Sequence, residues 1–499
     1  MQNSRWGSRQ LLAFCILNFA FCIGLAGCAA RADIAASTRP SLAARIQAAM
    51  SGPGVTRATW GIAIHSLARD ERTFEHNARA LLVPASTAKV IALAAAAEAV
   101  GWDHVYETTV LATGPTIDGV VRGDLIIVGS GDPSLGSPGE PGFEAWIAAF
   151  RAAGIRKIDG RIIGDDNAFE DPRPGAMWAW DDLGYRTGAL FGALNFAENV
   201  MRVTVSPGSA PALPTTLGVE PHAAARPLGN RTVTGPADST PLLWPEQRPG
   251  EPFLTIAGSI PAGAPPAQLI ISAGNPTQWF ASVLRDRLQR DGIEVTGEAV
   301  DIDDVTPPAD RSATTVIYTY RSKPLSYLAL RLMKESVNLY GEAVFRLAAG
   351  ASGERTNDDA IAATGRQVAA WGVPGDALQI VDGSGLSRRD AISADALIGV
   401  LEEMFDSSGM SPWMASLPIA GRDGTLENRF RGSAAEGTLL AKTGTMSNIR
   451  SLAGYARSAD GEPFAFAIMV NNFEGNGAQA TAAIDAIAVS IAEFSRRRD

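Results

Sequence analysis

Apolar positions along the chain follow a helical rhythm at both ends and a strand-like rhythm in the middle. Leu42–Met50 has the spacing of a short helix. Ala58–Leu67 alternates between faces as a strand does, and the charged run Arg69–Arg72 predicts the turn that ends it. Val90–Val100 is apolar all round, with Glu98 its one charge and Gly101 placed as a stop, so it predicts a buried helix. From Val110 to Arg311 short β-rich runs (125–128, 161–163, 201–205, 269–271) sit among many Gly and Pro residues. Pro is dense from Pro207 to Pro276, which suits turns and edge strands and disfavours long helices. Helical spacing returns over Ser326–Lys334, Leu339–Ala349, Ala360–Trp371 and Ser393–Met404. Strands are predicted over Gly437–Lys442, Ser451–Ala456 and Phe464–Val470, and a last helix over Ala478–Phe494. A strand near the start, with strands and a helix at the end, implies one α/β core split in sequence by an insertion. The expected division is 41–109 and 312–499 for the split core and 110–311 for a β-rich insert, which could hold two nested subdomains.

Composition sharpens the picture. The 499 residues are 46% hydrophobic and 19% charged, enough for more than one core. A net charge of −10 without a basic stripe argues against nucleic-acid binding. Cys15, Cys22 and Cys28 all lie at the extreme N-terminus, so disulfides and thiolate metal sites are not expected in the folded part. The four histidines form no metal-binding motif, and no cofactor is implied.

The front of the chain predicts export. Arg5 and Arg9 precede an uncharged, mostly apolar run, Leu11–Gly27, that is short for a membrane-spanning helix and is followed by small residues. Leu25-Ala26-Gly27-Cys28 resembles a bacterial lipobox, in which the cysteine is lipidated and becomes the new N-terminus. The resemblance implies a signal peptide at 1–27, a lipid anchor on Cys28, a tether at 28–40 and, with Ala29 following, the periplasm and outer membrane as destination. Ordinary signal cleavage near Ala30 is the alternative.

Three short motifs carry candidate chemistry. In Ser86-Thr-Ala-Lys89, at the start of the buried helix, the lysine falls one turn beyond the serine on the same face. A serine hydroxyl needs a base to become a nucleophile, and an amine desolvated in an apolar helix can be neutral enough to serve. Ser336-Val-Asn338 alone is common. Lys442-Thr443-Gly444-Thr445 places a cation beside two hydroxyls, suited to a carboxylate, with a glycine that permits close approach of a ligand backbone. Chance explains the ordered set poorly, because the chain has only five lysines and two occupy its two lysine positions.

Ser-x-x-Lys, Ser-x-Asn and Lys-Thr-Gly in that order mark serine penicillin-binding proteins and serine β-lactamases. The chain resembles the class C low-molecular-mass penicillin-binding proteins, the D-alanyl-D-alanine carboxypeptidase/endopeptidase family. That family carries a long insert between its first two motifs, as here. Further similar stretches are 123–135, Gly160–Asp165, Trp178–Asp182, Asn338–Ala343, Asp382–Arg388, Ala420–Thr425 and Ser451–Tyr455.

The resemblance implies an antiparallel sheet flanked by helices and a serine DD-peptidase acting on peptidoglycan stem peptides, with β-lactams as inhibitors. It implies that Ser86 is acylated, Lys89 takes its proton and Ser336 relays a proton to the leaving amine. Asn338 would bind the peptide carbonyl, and Lys442 would hold Ser336 and attract the terminal carboxylate beside Thr443 and Thr445. The N–H groups of Ser86 and Thr445 would form the oxyanion hole. A like charge on Lys442 would also help to keep Lys89 neutral. One departure is Val337, where the family usually has a polar residue. Asp382–Arg388, dense in glycine, is expected to be a turn that shapes the rim. The alternatives are a catalytically weak, lipid-anchored wall-binding protein and a β-lactamase, the second disfavoured by the size of the insert.

Overall fold

The computed structural model describes residues 40–498 apart from 222–225, 249, 252, 307–312 and 351–355. Its frame is an antiparallel five-stranded sheet in the order Glu71–His76, Thr59–Ser66, Pro463–Asn471, Ile449–Arg457, Leu440–Met446. Strands from the two ends of the chain are therefore neighbours, as the split-core pattern predicts.

The central strand shows why both faces are covered. Phe464, Phe466, Ile468 and Val470 point to one side, where they pack with Leu42 and Ile46 of the first helix and Ile484, Ile487 and Ile491 of the last, Ala478–Glu493. Ala465, Ala467 and Met469 point to the other side. There the small side chains admit helices, including Ala88–Val100 and Ala394–Asp406. Alternation of large and small residues thus sets how closely each helical layer approaches.

Helix Ala88–Val100 is buried over nearly its whole length, which its unbroken apolar run demanded. Gly101 ends it at φ 80°, a conformation that glycine adopts without strain. Two details differ from the sequence reading. The segment Glu71–Arg72, taken for the end of a turn, begins the edge strand Glu71–His76. Its polar residues are exposed on both faces, so it carries no hydrophobic alternation to find. The strand expected at Gly437–Lys442 runs instead over Leu440–Met446 and takes in the whole third motif.

The middle of the chain builds a second core, distinct from the clusters around the five-stranded sheet. A mixed sheet runs in the order Ala299–Asp301, Ile162–Asp165, Leu125–Val128, Glu107–Ala112, Thr315–Arg321. Small three-stranded sheets, 200–206 with 216–220 and 267–272, and 254–261 with 228–235 and 242–246, adjoin it in sequence. Two helices, Glu144–Ala152 and Pro276–Arg290, correct the expectation that the region lacks longer helices. The second starts at the last proline of the dense run. Pro276 occupies the first turn, where its missing N–H is harmless, and Asn275 caps the Thr277 and Gln278 N–H groups at 2.9 and 3.0 Å.

The two faces of the central strand make opposite predictions. Ile468→Ala, which leaves a cavity against the terminal helices, should lower stability by about 2–5 kcal/mol. Ala467→Leu, which overfills the opposite interface, should lower it by about 1–3 kcal/mol. Urea unfolding of both variants checks the pair.

Candidate active site

The first motif is built on a strained turn. Ala85 has φ 49°, then Ala85–Thr87 form a 3-10 turn that runs into helix Ala88–Val100. An alanine in this region is held there by its surroundings. Thr87 Oγ1 and Ser451 Oγ both donate to Pro84 O, at 2.8 and 2.6 Å, tying the turn to the sheet. Ser86 is thereby presented at the helix start with Lys89 beneath it.

Lys89 is wholly buried. Its Nζ lies 2.9 Å from Ser86 Oγ, 2.8 Å from Asn338 Oδ1 and 2.5 Å from Ser384 O. Asn338 Oδ1 and the Ser384 carbonyl can only accept. A neutral amine therefore gives both its N–H bonds to them and keeps its lone pair for the Ser86 hydroxyl. Burial pushes Lys89 down to about 7, against the pull of Asp382, Glu342 and Asp390, whose charges favour the ammonium. The like charge of Lys442, expected to neutralise Lys89, is not what does so. That repulsion instead acts with burial to depress Lys442 well below the usual lysine range.

The other motifs converge on the same place. Ser336 opens the second motif at φ 60° and accepts from Lys442 Nζ at 2.7 Å. Lys442, buried on the edge strand of the sheet, also donates to Thr443 O at 2.7 Å. Thr443 Oγ1 donates to Thr425 Oγ1 at 2.8 Å, and Thr445 is exposed on the same strand. A Cβ on Gly444 would lie 2.1 Å from Ser451 Oγ and 2.6 Å from Pro84 O. The close approach that this glycine permits is therefore to the turn carrying Ser86. Val337 is buried in the core, so its apolar side chain does not face the cleft.

Ser86, Ser336, Asn338, Thr443 and Thr445 line a cleft of about 320 Å³. Residues that the motifs did not reveal complete it. Asp182 and Thr187 come from the middle of the chain, Gly385, Leu386 and Arg388 from the 382–388 loop, and Thr425, Met446 and Ser447 from around the third motif. Thr187 O accepts from Asn338 Nδ2 at 2.9 Å, which orients the amide so that its oxygen faces Lys89. The 382–388 run is more than a rim, because it supplies the Ser384 carbonyl to Lys89. Signals for these roles were weak. Carbonyls belong to every residue, so no side-chain pattern announces them.

The only group of acidic, His or Cys side chains among the described residues close enough to hold a metal is Asp166, Asp301 and Asp303, which does not line this cleft. Cys28 and the export signal lie outside the described residues. No helix among the described residues is long and apolar enough to cross a membrane.

A buried amine poised on a serine, with a second hydroxyl and a second amine facing it, defines a serine enzyme of the penicillin-binding fold. The crystal structure of penicillin binding protein 4 (dacB) from Haemophilus influenzae has the same fold, with a TM-score of 0.79 over 90% of this chain and 99% of that one, at 23% identity. A second crystal structure of that protein, complexed with a β-lactam, matches with a TM-score of 0.72 at 22% identity. The D-alanyl-D-alanine carboxypeptidase of Actinomadura sp. strain R39 is 32% identical over 99% of this chain and 92% of its own length. The model of the D-Ala-D-Ala carboxypeptidase 3 (S13) family matches residues 42–493, and the chain belongs to that family. It is a serine DD-peptidase.

Two outcomes follow from the geometry. A base at Lys89, neutral only above about pH 7, predicts an acylation rate that rises with pH through about 7, as a pH profile of β-lactam acylation would display. Gly385 has φ 77°, and a Cβ there would sit 2.0 Å from Ala85 O. Gly385→Ala should therefore displace the turn that carries Ser86 and slow β-lactam acylation by about 10–100-fold, measured in the same assay.

Proposed function

We propose that Ser86 is the nucleophile and Lys89 the general base that cleaves the D-Ala-D-Ala bond of peptidoglycan stem peptides, or the D-Ala-to-diamino-acid crosslink. The observation that carries this reading is the set of contacts at Lys89 Nζ, which leaves a neutral amine with its lone pair on Ser86 Oγ. Lys89 takes the hydroxyl proton as Oγ attacks the penultimate D-alanine carbonyl carbon. The backbone N–H groups of Ser86 and Thr445 hold the oxygen that becomes negative. As the C–N bond breaks, Ser336 gives its proton to the leaving amine, and Lys442, 2.7 Å from Ser336 Oγ, replenishes it. Asn338 has a second amide hydrogen free of Thr187 for the substrate's peptide carbonyl. The terminal carboxylate meets Thr443, Thr445 and Lys442, and its negative charge offsets the burial that depresses the lysine. Water then hydrolyses the acyl-enzyme. A β-lactam enters the same path and stays attached to Ser86.

This substrate lies outside the cytoplasmic membrane, so the enzyme is exported. Delivery to the periplasm by a signal peptide at 1–27, with Cys28 carrying a lipid that tethers the enzyme to the outer membrane, is part of the proposal. So is the division into a split catalytic core and an insert. The separate hydrophobic core and the pairing of Glu107–Ala112 with Thr315–Arg321 support an insert that enters and leaves through two adjacent strands.

Fluorescent penicillin tests the chemistry. Wild-type protein should take a stoichiometric label that maps to the peptide holding Ser86, and Ser86→Ala should take none. An unlabelled wild type, or a label on another residue, would refute the assignment.

A further inference from the structure

Behind the Ser384 carbonyl lies a buried group of three carboxyl side chains that the reaction above does not use: Glu342, Asp382 and Asp390. Glu342 is on helix Asn338–Leu347, one turn beyond Asn338 and on the same face. Its Oε1 accepts from Gly383 N at 3.2 Å and from Ser384 N at 2.9 Å. The loop presses directly on this helix, since a Cβ on Gly383 would lie 2.2 Å from Gly341 O. Asp382 fixes the rest of the loop, accepting from Gly385 N at 2.6 Å and Ser387 N at 2.7 Å, and from Trp178 Nε1 at 2.8 Å. Asp390 accepts from Val381 N at 2.7 Å.

We propose that Glu342 is a positioning residue for the general base. It anchors the Gly383–Ser384 peptide units so that the Ser384 carbonyl joins Asn338 Oδ1 in holding both N–H bonds of neutral Lys89. One helix thus controls both acceptors, the first through its own Asn338 and the second through Glu342. The inference rests on Lys89 being the base that activates Ser86.

Glu342 also acts on Lys89 through its charge. A carboxylate here favours the ammonium, opposing burial. The groups that face Glu342 are Lys89 from the nucleophile helix, Asp382 and Asp390 from the loop, and Arg346 from its own helix. Arg346 in turn feels Glu170 and Arg173 from the inserted stretch. Burial, with Asp382 beside it, lifts Glu342 to about 7. Burial, with Asp382 beside it, holds Asp390 well above the usual carboxylate range. Glu342 and Asp382 also line a second cavity of about 220 Å³, which gives Glu342 a route for proton exchange with solvent. Glu342 and Lys89 therefore titrate in the same pH range, and the acid limb of activity contains both.

The test is acylation by fluorescent penicillin of the full chain, wild type, Glu342→Ala and Glu342→Gln, across about pH 5–9. Glu342→Ala frees the loop and should lower the plateau rate at least about tenfold. Glu342→Gln keeps an oxygen for the Ser384 N–H and should recover most of that loss. With the negative charge gone, Lys89 releases its proton more readily, so the acid limb should move to lower pH by about half a unit or more. The inference is overturned if Glu342→Ala, folded by its melting curve, acylates at the wild-type rate. It is also overturned if the Glu342→Gln limb stays at the wild-type pH, which remains readable even if the alanine variant does not fold. A variant that loses only melting temperature shows a purely structural carboxyl and counts against the proposal. Failure of the wild type to label would instead remove the Ser86 chemistry itself.

Discussion

An ammonium group buried as Lys89 is would be poorly solvated, and that burial pushes the amine toward its neutral form. In that form two carbonyl-type acceptors take its N–H bonds, and the lone pair is left for the serine. Much of the architecture serves that one arrangement. The apolar helix removes water from the amine, the five-stranded sheet fixes the turn above it, and the 338–347 helix delivers the amide beside it. Lys442, on the sheet edge near the C-terminal end, meets Ser336 106 positions earlier, so the site depends on contacts distant in sequence.

The same site is held by strained or crowded backbone. Ala85 and Ser336 both adopt positive φ, and Gly385 and Gly444 occupy positions where a side chain would collide with the nucleophile turn. Such conformations persist only where surrounding packing overrides local preference. The middle of the chain contributes to that packing. Thr187 orients the Asn338 amide, Trp178 braces Asp382, and Arg186 shares buried Glu198 with Arg331 on the helix that leads to Ser336. The middle of the chain thereby braces the residues around Ser86 as well as lining the cleft.

Charge is distributed with the same economy. Carboxyl groups behind the 382–388 loop moderate the effect of burial on Lys89, whereas burial and the neighbouring Lys89 both act to hold Lys442 well below the usual lysine range. The two lysines are thus unlike each other, although both are fully buried and each meets a serine that lines the cleft. Lys89 is held near neutrality, where the proposed proton transfer needs it. The other becomes a good cation only when an anion arrives to compensate it.

Taken alone, the amino-acid sequence determined the buried helix, the strands and helix at the two ends that share one sheet, and the order of the three motifs whose side chains converge. Those features are written in apolar periodicity and in the scarcity of lysine. It did not reveal the polar edge strand at Glu71–His76, which has no buried face, or the helix that begins at Pro276 behind a proline-rich run. Nor could it show that Ser384 and Thr187 act through their carbonyls, or that burial working against nearby carboxylates, rather than a second lysine, sets the balance at Lys89. Those matters were decided by the tertiary structure, because backbone groups are the same in every residue and desolvation exists only once distant segments have closed around a charge.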